Sequence, residues 1–170
     1  QEHLNPVGSL NDNYTNIELI KEVCSYFNRK ISVLDLGCAG GQLVIDFTQA
    51  GNDGVGIEGS THVLQGPGNH NWFNTNNNLF ICDITKPFKI TNDSIDVKFD
   101  FIHCSEVLEH ISMSDLQFCL SNVYNHLSDD GLFCCQLSID ESDPLHVSIF
   151  SKESWIEIFE KNNFIPCENG

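Results

Sequence analysis

Three carboxylates and a glycine turn carry the first chemical signal in this chain of 170 residues. Val33 to Gly41 reads V-L-D-L-G-C-A-G-G, an apolar run that breaks into Asp35 and then into glycines. Gly37, Gly40 and Gly41 let the backbone turn sharply and approach a bound molecule, while Asp35 puts a negative charge where phosphate would be repelled. The combination favours a ligand with a cationic or neutral head. Two more short apolar runs, Val55 to Glu58 and Leu79 to Cys82, end at Glu58 and just before Asp83.

A second cluster follows a fourth apolar run, Phe99 to Cys104. In S-E-V-L-E-H-I, Glu106, Glu109 and His110 fall at i, i+3 and i+4, so a helix there would present all three on one face. His146, in D-P-L-H, lies in a loop expected to return to the same edge. Two carboxylates and an imidazole, completed by His146, could hold a divalent cation, magnesium or manganese. Such an ion binds paired oxygens of an acceptor and lowers a hydroxyl's pKa. His110 or His146 could instead serve as a general base without metal, or the group could be structural. His3, His62, His70, His103 and His126 have no such constellation and read as surface or satisfied core residues.

These side chains need elements to place them. The apolar spacing predicts a packing helix over 14–27 with a cap among residues 11–13, a strand at 31–36, and a helix at 42–50 after the glycine turn. Strands follow at 55–58, 79–82 and 99–104, with only a short helix at 61–65 and loop through the asparagine-rich run 74–78. A helix at 116–127, a turn at Asp129-Asp130-Gly131, a strand at 132–137, a helix over 151–162 capped by Ser151, and a sixth strand beginning at 164–167 complete the reading. Alternating strands and helices imply an α/β fold with a mostly parallel sheet and helices on both faces, and such sheets bind ligands at the carboxyl ends of their strands.

Composition sets the bounds. The chain is expected to be a single domain over 1–170, with an N-terminal helical segment at 1–30 and a ligand-binding core at 31–170. The 24 acidic residues against 8 basic ones, a formal charge of -16, argue against nucleic acid and against an anionic membrane surface as partners. No segment approaches the roughly 20 apolar residues that span a bilayer. The eight cysteines lie mostly in apolar runs, with no C-x-x-C, and read as reduced thiols of a cytoplasmic protein. Both ends read as trimmed, since the chain opens on Gln1 and stops just as the sixth strand begins.

For an adenosine-type ligand, the glycine spacing fits a dinucleotide's G-x-G-x-x-G badly, and Asp35 would face its pyrophosphate. A sulfonium amino acid, positive at sulfur and ammonium, suits the acidic strand end better. The ordered set D-L-G-C-A-G-G, G-I-E-G-S, I-C-D-I-T, F-D-F-I-H-C-S-E-V-L-E-H-I and D-D-G-L-F resembles class I S-adenosylmethionine-dependent methyltransferases, of a small-molecule or glycan-linked type. The resemblance implies a Rossmann-like methyltransferase fold whose usual C-terminal antiparallel strand is missing here, leaving a sheet edge at which a homodimer could form. It implies that Asp35, Gly37, Cys38, Ala39 and Gly41 contact the methionine part and that Glu58, with Gly59 beside it, accepts the ribose hydroxyls. It further implies that Asp83 and Ile84 hold the adenine and that Cys104 and Ser105 close the methionyl end. E-x-x-E-H with a later histidine is similar to metal-assisted O-methyltransferases. The implied activity is methyl transfer to a small-molecule or glycan acceptor, at oxygen; the alternative is a non-catalytic module that binds S-adenosylmethionine or S-adenosylhomocysteine.

Overall fold

The computed structural model describes residues 13–66, 69–74 and 78–167. Helix α1 (Ile17–Phe27) is followed by β1 (Ser32–Leu36), α2 (Gln42–Gln49), β2 (Asp53–Glu58), α3 (His70–Asn74) and β3 (Leu79–Ile81). A hairpin of β4 (Thr91–Asn92) and β5 (Ile95–Asp96) precedes β6 (Phe99–Ser105), α4 (Met113–His126), β7 (Leu127–Gln136) and α5 (Lys152–Lys161). Five strands form one sheet in the order β3-β2-β1-β6-β7, and every neighbouring pair is parallel. The order reverses at β1, so the crevice of the sheet opens where β1 and β6 diverge towards their following segments.

Alternation along β1 and β6 divides the core. Val33 and Phe101 pack against Ile20 and Val23 of α1 and Leu43 and Phe47 of α2. Leu34, Ile102 and Cys104 join Leu116, Cys119, Leu120 and Val123 of α4 and Trp155 of α5 on the other side. The middle strands are buried on both faces over their inner residues, which are apolar except for Asp35 and His103, while Ser32, Asp100 and Ser105 stand at their ends. The amino ends of the same strands are locked by Arg29, which donates to both oxygens of Asp100 at 3.0 and 2.8 Å, while Asp100 also accepts the Ser32 amide at 2.9 Å. The Arg29 hydrogen bonds hold the Asp100 carboxyl below its ordinary range.

Several expectations are corrected here. The cap of α1 is Asn16, which accepts the Leu19 amide, so the helix starts at Ile17 rather than at 14; residues 11 and 12 lie outside the described residues. α4 starts at Met113 under a Ser112 cap, earlier than its apolar spacing suggested. Asp129-Asp130-Gly131 is no turn: it lies within β7, beside an irregularity in the register opposite Phe99 and Phe101. The stretch 164–167 forms no strand, since the chain turns at Asn163 (φ 70°) and Pro166 has no amide to give a ladder. Among the described residues the sheet therefore ends at β7. Of the asparagine-rich run, residues 75–77 lie outside the described residues, but α3 occupies what read as loop before it.

Candidate functional site

The turn after β1 is built by backbone pairing before any side chain is needed. The amides of Gly37 and Cys38 both donate to the Ile57 carbonyl, at 2.8 and 3.0 Å, which folds the turn over β2. Gly37 has φ 75°, and a Cβ there would lie 2.2 Å from a Val107 methyl, so only glycine fits. α3 secures the turn from outside: Trp72 donates its indole N–H to the Ala39 carbonyl at 2.9 Å, and Asn71 donates to Gly40 O at 3.0 Å. Asn13 accepts the Gln42 amide at 3.0 Å, serving the first turn of α2, whose own N-cap Gly41 has no side chain to do so.

Glu58 ends β2 directly behind this turn. Its Oε1 accepts the Ser60 amide at 2.7 Å and its Oε2 the Ala39 amide at 3.1 Å, which fixes both oxygens. Burial raises its pKa, and the nearby Asp35 charge adds to the effect against the backbone hydrogen bonds. The Gly59 amide is one of those bonds. Asp83, beyond β3, accepts the Thr85 amide and hydroxyl at 3.0 and 2.6 Å. Ile84 beside it is buried, and its carbonyl accepts from Asn122 of α4 at 2.9 Å.

Asp35, Gly37, Cys38 and Ala39 line a cavity of about 180 Å³ with Tyr14, His103, Ser105, Glu106 and Gln136. Of the sequence-predicted residues the structure brings Asp35, Gly37, Cys38, Ala39, Ser105 and Glu106 to this cavity at the carboxyl ends of β1 and β6, whereas Gly41, Glu58, Gly59, Asp83, Ile84 and Cys104 do not line it. Alternation sends the Cys104 thiol into the apolar cluster under α4, where burial pushes its pKa well up, and of the two neighbours only Ser105 faces the cavity. Sequence reasoning missed His103, which lies directly opposite Asp35 in the parallel register and sets its Nδ1 2.7 Å from Asp35 Oδ1. Strand alternation two residues before Ser105 was the available signal.

The second cluster is real but differently built. Glu106 does not sit on an α-helix; it has φ 53° at the end of β6, and only a single 3₁₀ turn, Leu108–His110, follows. One ligand atom each from Glu109, His110 and His146 lies within 4.8 Å of the others, and Glu106 is not part of that group. Glu106 instead lines the cavity and accepts from Gln136 at 3.1 Å, while its charge, after burial, helps raise the Glu109 pKa.

Glu109 organises the returning loop. Its carbonyl accepts the amides of Val147 and Ser148 at 2.8 and 3.0 Å, and its Oε1 accepts the Ser138 amide at 2.8 Å. Its Oε2 is buried and accepts from no N–H or hydroxyl donor, and the neighbouring Glu106 carboxyl, close enough to share a proton, adds to burial in holding the Glu109 pKa up. His110 and His146 each direct Nδ1 to a backbone carbonyl, Leu145 at 3.1 Å and Asp140 at 2.7 Å. With Nδ1–H donating, a neutral imidazole at either position has its lone pair on Nε2, the tautomer that metal-binding imidazoles use, and His146 Nε2 lies 3.8 Å from Asp143 Oδ2.

Comparison with known proteins adds the wider frame. A family model described as a methyltransferase domain matches residues 10–166. A search of curated proteins found no match. Among solved structures, a SAM-dependent methyltransferase from Archaeoglobus fulgidus is 18% identical with a TM-score of 0.64, over 87% of this chain and 67% of that one. An S-adenosylmethionine-dependent methyltransferase from Clostridium acetobutylicum ATCC 824 is 25% identical with a TM-score of 0.54, over 69% and 47%. SAM-bound CalS10, an amino pentose methyltransferase from Micromonospora echinaspora, is 14% identical with a TM-score of 0.57, over 71% and 48%. The chain therefore spans about half to two thirds of these structures, and the likeness establishes a Rossmann-like methyltransferase fold. No helix among the described residues is long and apolar enough to cross a membrane.

Proposed function

Because the chain belongs to the methyltransferase-domain family matched over residues 10–166, we propose that it transfers the methyl group of S-adenosylmethionine to an oxygen of a small-molecule or glycan acceptor. One observation carries the reading. Asp35, Glu58 and Asp83 stand at or just beyond the ends of three adjacent strands, around a glycine turn that opens on the cavity. In this reading Asp35 meets the donor's ammonium, the two fixed oxygens of Glu58 meet the vicinal ribose hydroxyls, and Asp83 with Ile84 holds the adenine. The acceptor oxygen attacks the S-methyl carbon in line, the C–S bond breaks, the sulfonium becomes a neutral thioether, and the hydroxyl proton leaves to solvent. The chain contributes alignment and exclusion of water.

The acceptor side would hold a divalent cation through Glu109, His110 and His146. The fit rests on Glu109 Oε2, which accepts from no N–H or hydroxyl donor, and on two imidazoles whose Nδ1 atoms are already tied to carbonyls. Two nitrogen donors suit manganese better than magnesium. Bound there, the ion would lower the pKa of an acceptor hydroxyl. A saccharide hydroxyl is a chemically reasonable acceptor, in keeping with the amino sugar handled by the Micromonospora enzyme.

Calorimetry tests the donor half. S-adenosylhomocysteine should bind in the micromolar range, NAD should not, and Glu58→Ala should weaken binding about 100-fold, the equivalent of two charge-assisted hydrogen bonds. No heat with S-adenosylhomocysteine would sink the reading. Manganese titration, with Glu109→Ala as the comparison, tests the cation; equal binding by both proteins would remove it.

A further inference from the structure

Asp35 and His103 form an imidazole–carboxylate pair with both side chains only 7% exposed, and the pair is paired in register across β1 and β6. An ionised carboxylate can only accept, so the hydrogen bond runs from His103 Nδ1–H to Asp35 Oδ1 over 2.7 Å. That leaves one atom on each residue: Asp35 Oδ2 and His103 Nε2. Among the described residues neither has a hydrogen-bond partner, and neither is among the buried unpaired atoms, so both are left to the cavity that the two residues line.

We propose that His103 positions the methyl donor by recognising its primary ammonium. Resting on the donor reading above, the inference gives His103 two tasks. Through Nδ1–H it clamps Asp35, so that Oδ2 points at the ligand. Through Nε2 it offers a second acceptor to the same ammonium. An ammonium has three N–H donors and matches a carboxylate oxygen and an imidazole lone pair side by side. The two acceptors come from adjacent strands of the sheet rather than from a loop, which fixes their separation. His103 touches neither the sulfonium nor the acceptor in this scheme. It sets the affinity and register of the amino-acid end, and with that the direction of the methyl.

Two ligands separate positioning from mere packing. S-Adenosylhomocysteine carries the ammonium; 5′-methylthioadenosine has the same nucleoside and thioether but lacks the amino-acid end. His103→Leu should weaken S-adenosylhomocysteine at least tenfold and leave 5′-methylthioadenosine within about twofold of wild type. His103→Asn keeps a donor at the Nδ1 position and should recover the Asp35 clamp, so its loss should be clearly smaller. Folding of each variant is checked by its thermal midpoint, and His103→Asn keeps the test alive if the leucine variant is unstable. Equal loss for both ligands, unchanged S-adenosylhomocysteine binding, or equal loss in both variants would overturn the inference. Failure of the wild-type protein to bind either ligand would instead overturn the donor reading beneath it.

Discussion

The two halves of the crevice are held by opposite means. On the side proposed for the donor, residues 35–60 close on themselves: adjacent strands pair, two amides share the Ile57 carbonyl, and both Glu58 oxygens accept backbone amides. On the side proposed for the acceptor, Glu109 gathers a loop that returns 29 to 39 residues later, through Ser138, Val147 and Ser148. Donor geometry is therefore fixed by local chain closure, which favours one unvarying ligand. Acceptor geometry depends on a long irregular connection, the part of a scaffold in which specificity changes most readily.

The largest test of this contrast acts where the halves touch. Gly37→Ala forces a left-handed alanine against Val107, and overpacking plus backbone strain should cost about 2–5 kcal/mol in urea unfolding. Pairing it with Val107→Ala should recover the overpacking share; no recovery would mean that the two sides are not coupled at this contact. Glu109→Gln should separate the sides more gently. Burial raises the Glu109 pKa, so the folded state holds this proton more tightly than the unfolded chain. The favourable contribution is complete below the ordinary value of 4.5 and is lost as pH rises through the raised folded value. The glutamine variant keeps the acceptor for Ser138 and cannot ionise, so its stability relative to wild type should rise by about 1 kcal/mol as pH rises through the folded Glu109 value. It should lose manganese binding and keep its S-adenosylhomocysteine affinity. A fall in that affinity would break the comparison. The smallest effect is on the donor side itself. Ala39 has φ 44°, so Ala39→Gly should relieve strain worth about 0.5–1 kcal/mol and raise the thermal midpoint by a few degrees.

The same contrast decides what could be read from the sequence. Asp35, the glycines and Glu58 were legible because a contiguous turn encodes its own geometry in residue type and spacing. Glu109, His110 and His146 were legible as candidates, yet the helix expected to align them does not exist. Glu106 belongs instead to the end of β6, because its positive φ breaks the chain before a helix can start. His103 looked inert because its partner lies 68 residues away, visible only once β1 and β6 pair. The β4–β5 hairpin was missed although Asp93 and Ser94, both at positive φ, supply the turn that twisted hairpins prefer. At Gly131 the opposite error arose: D-D-G has turn chemistry, but here the glycine serves close packing, since a Cβ would meet the Phe99 carbonyl at 3.0 Å.

Asn122 gives the crevice a mechanical property as well as a shape. Its side-chain amide donates to the carbonyls of both Ile84 and Lys86, at 2.9 and 2.8 Å, so the segment beyond β3 is clasped to the middle of α4. β3 itself is three residues long and sits at the sheet's edge, too short to hold that segment alone. Residues 84–86 should accordingly open with α4 and not with their own strand. In hydrogen exchange the amides around this clasp should share the protection of the helix, while those of β3 exchange earlier.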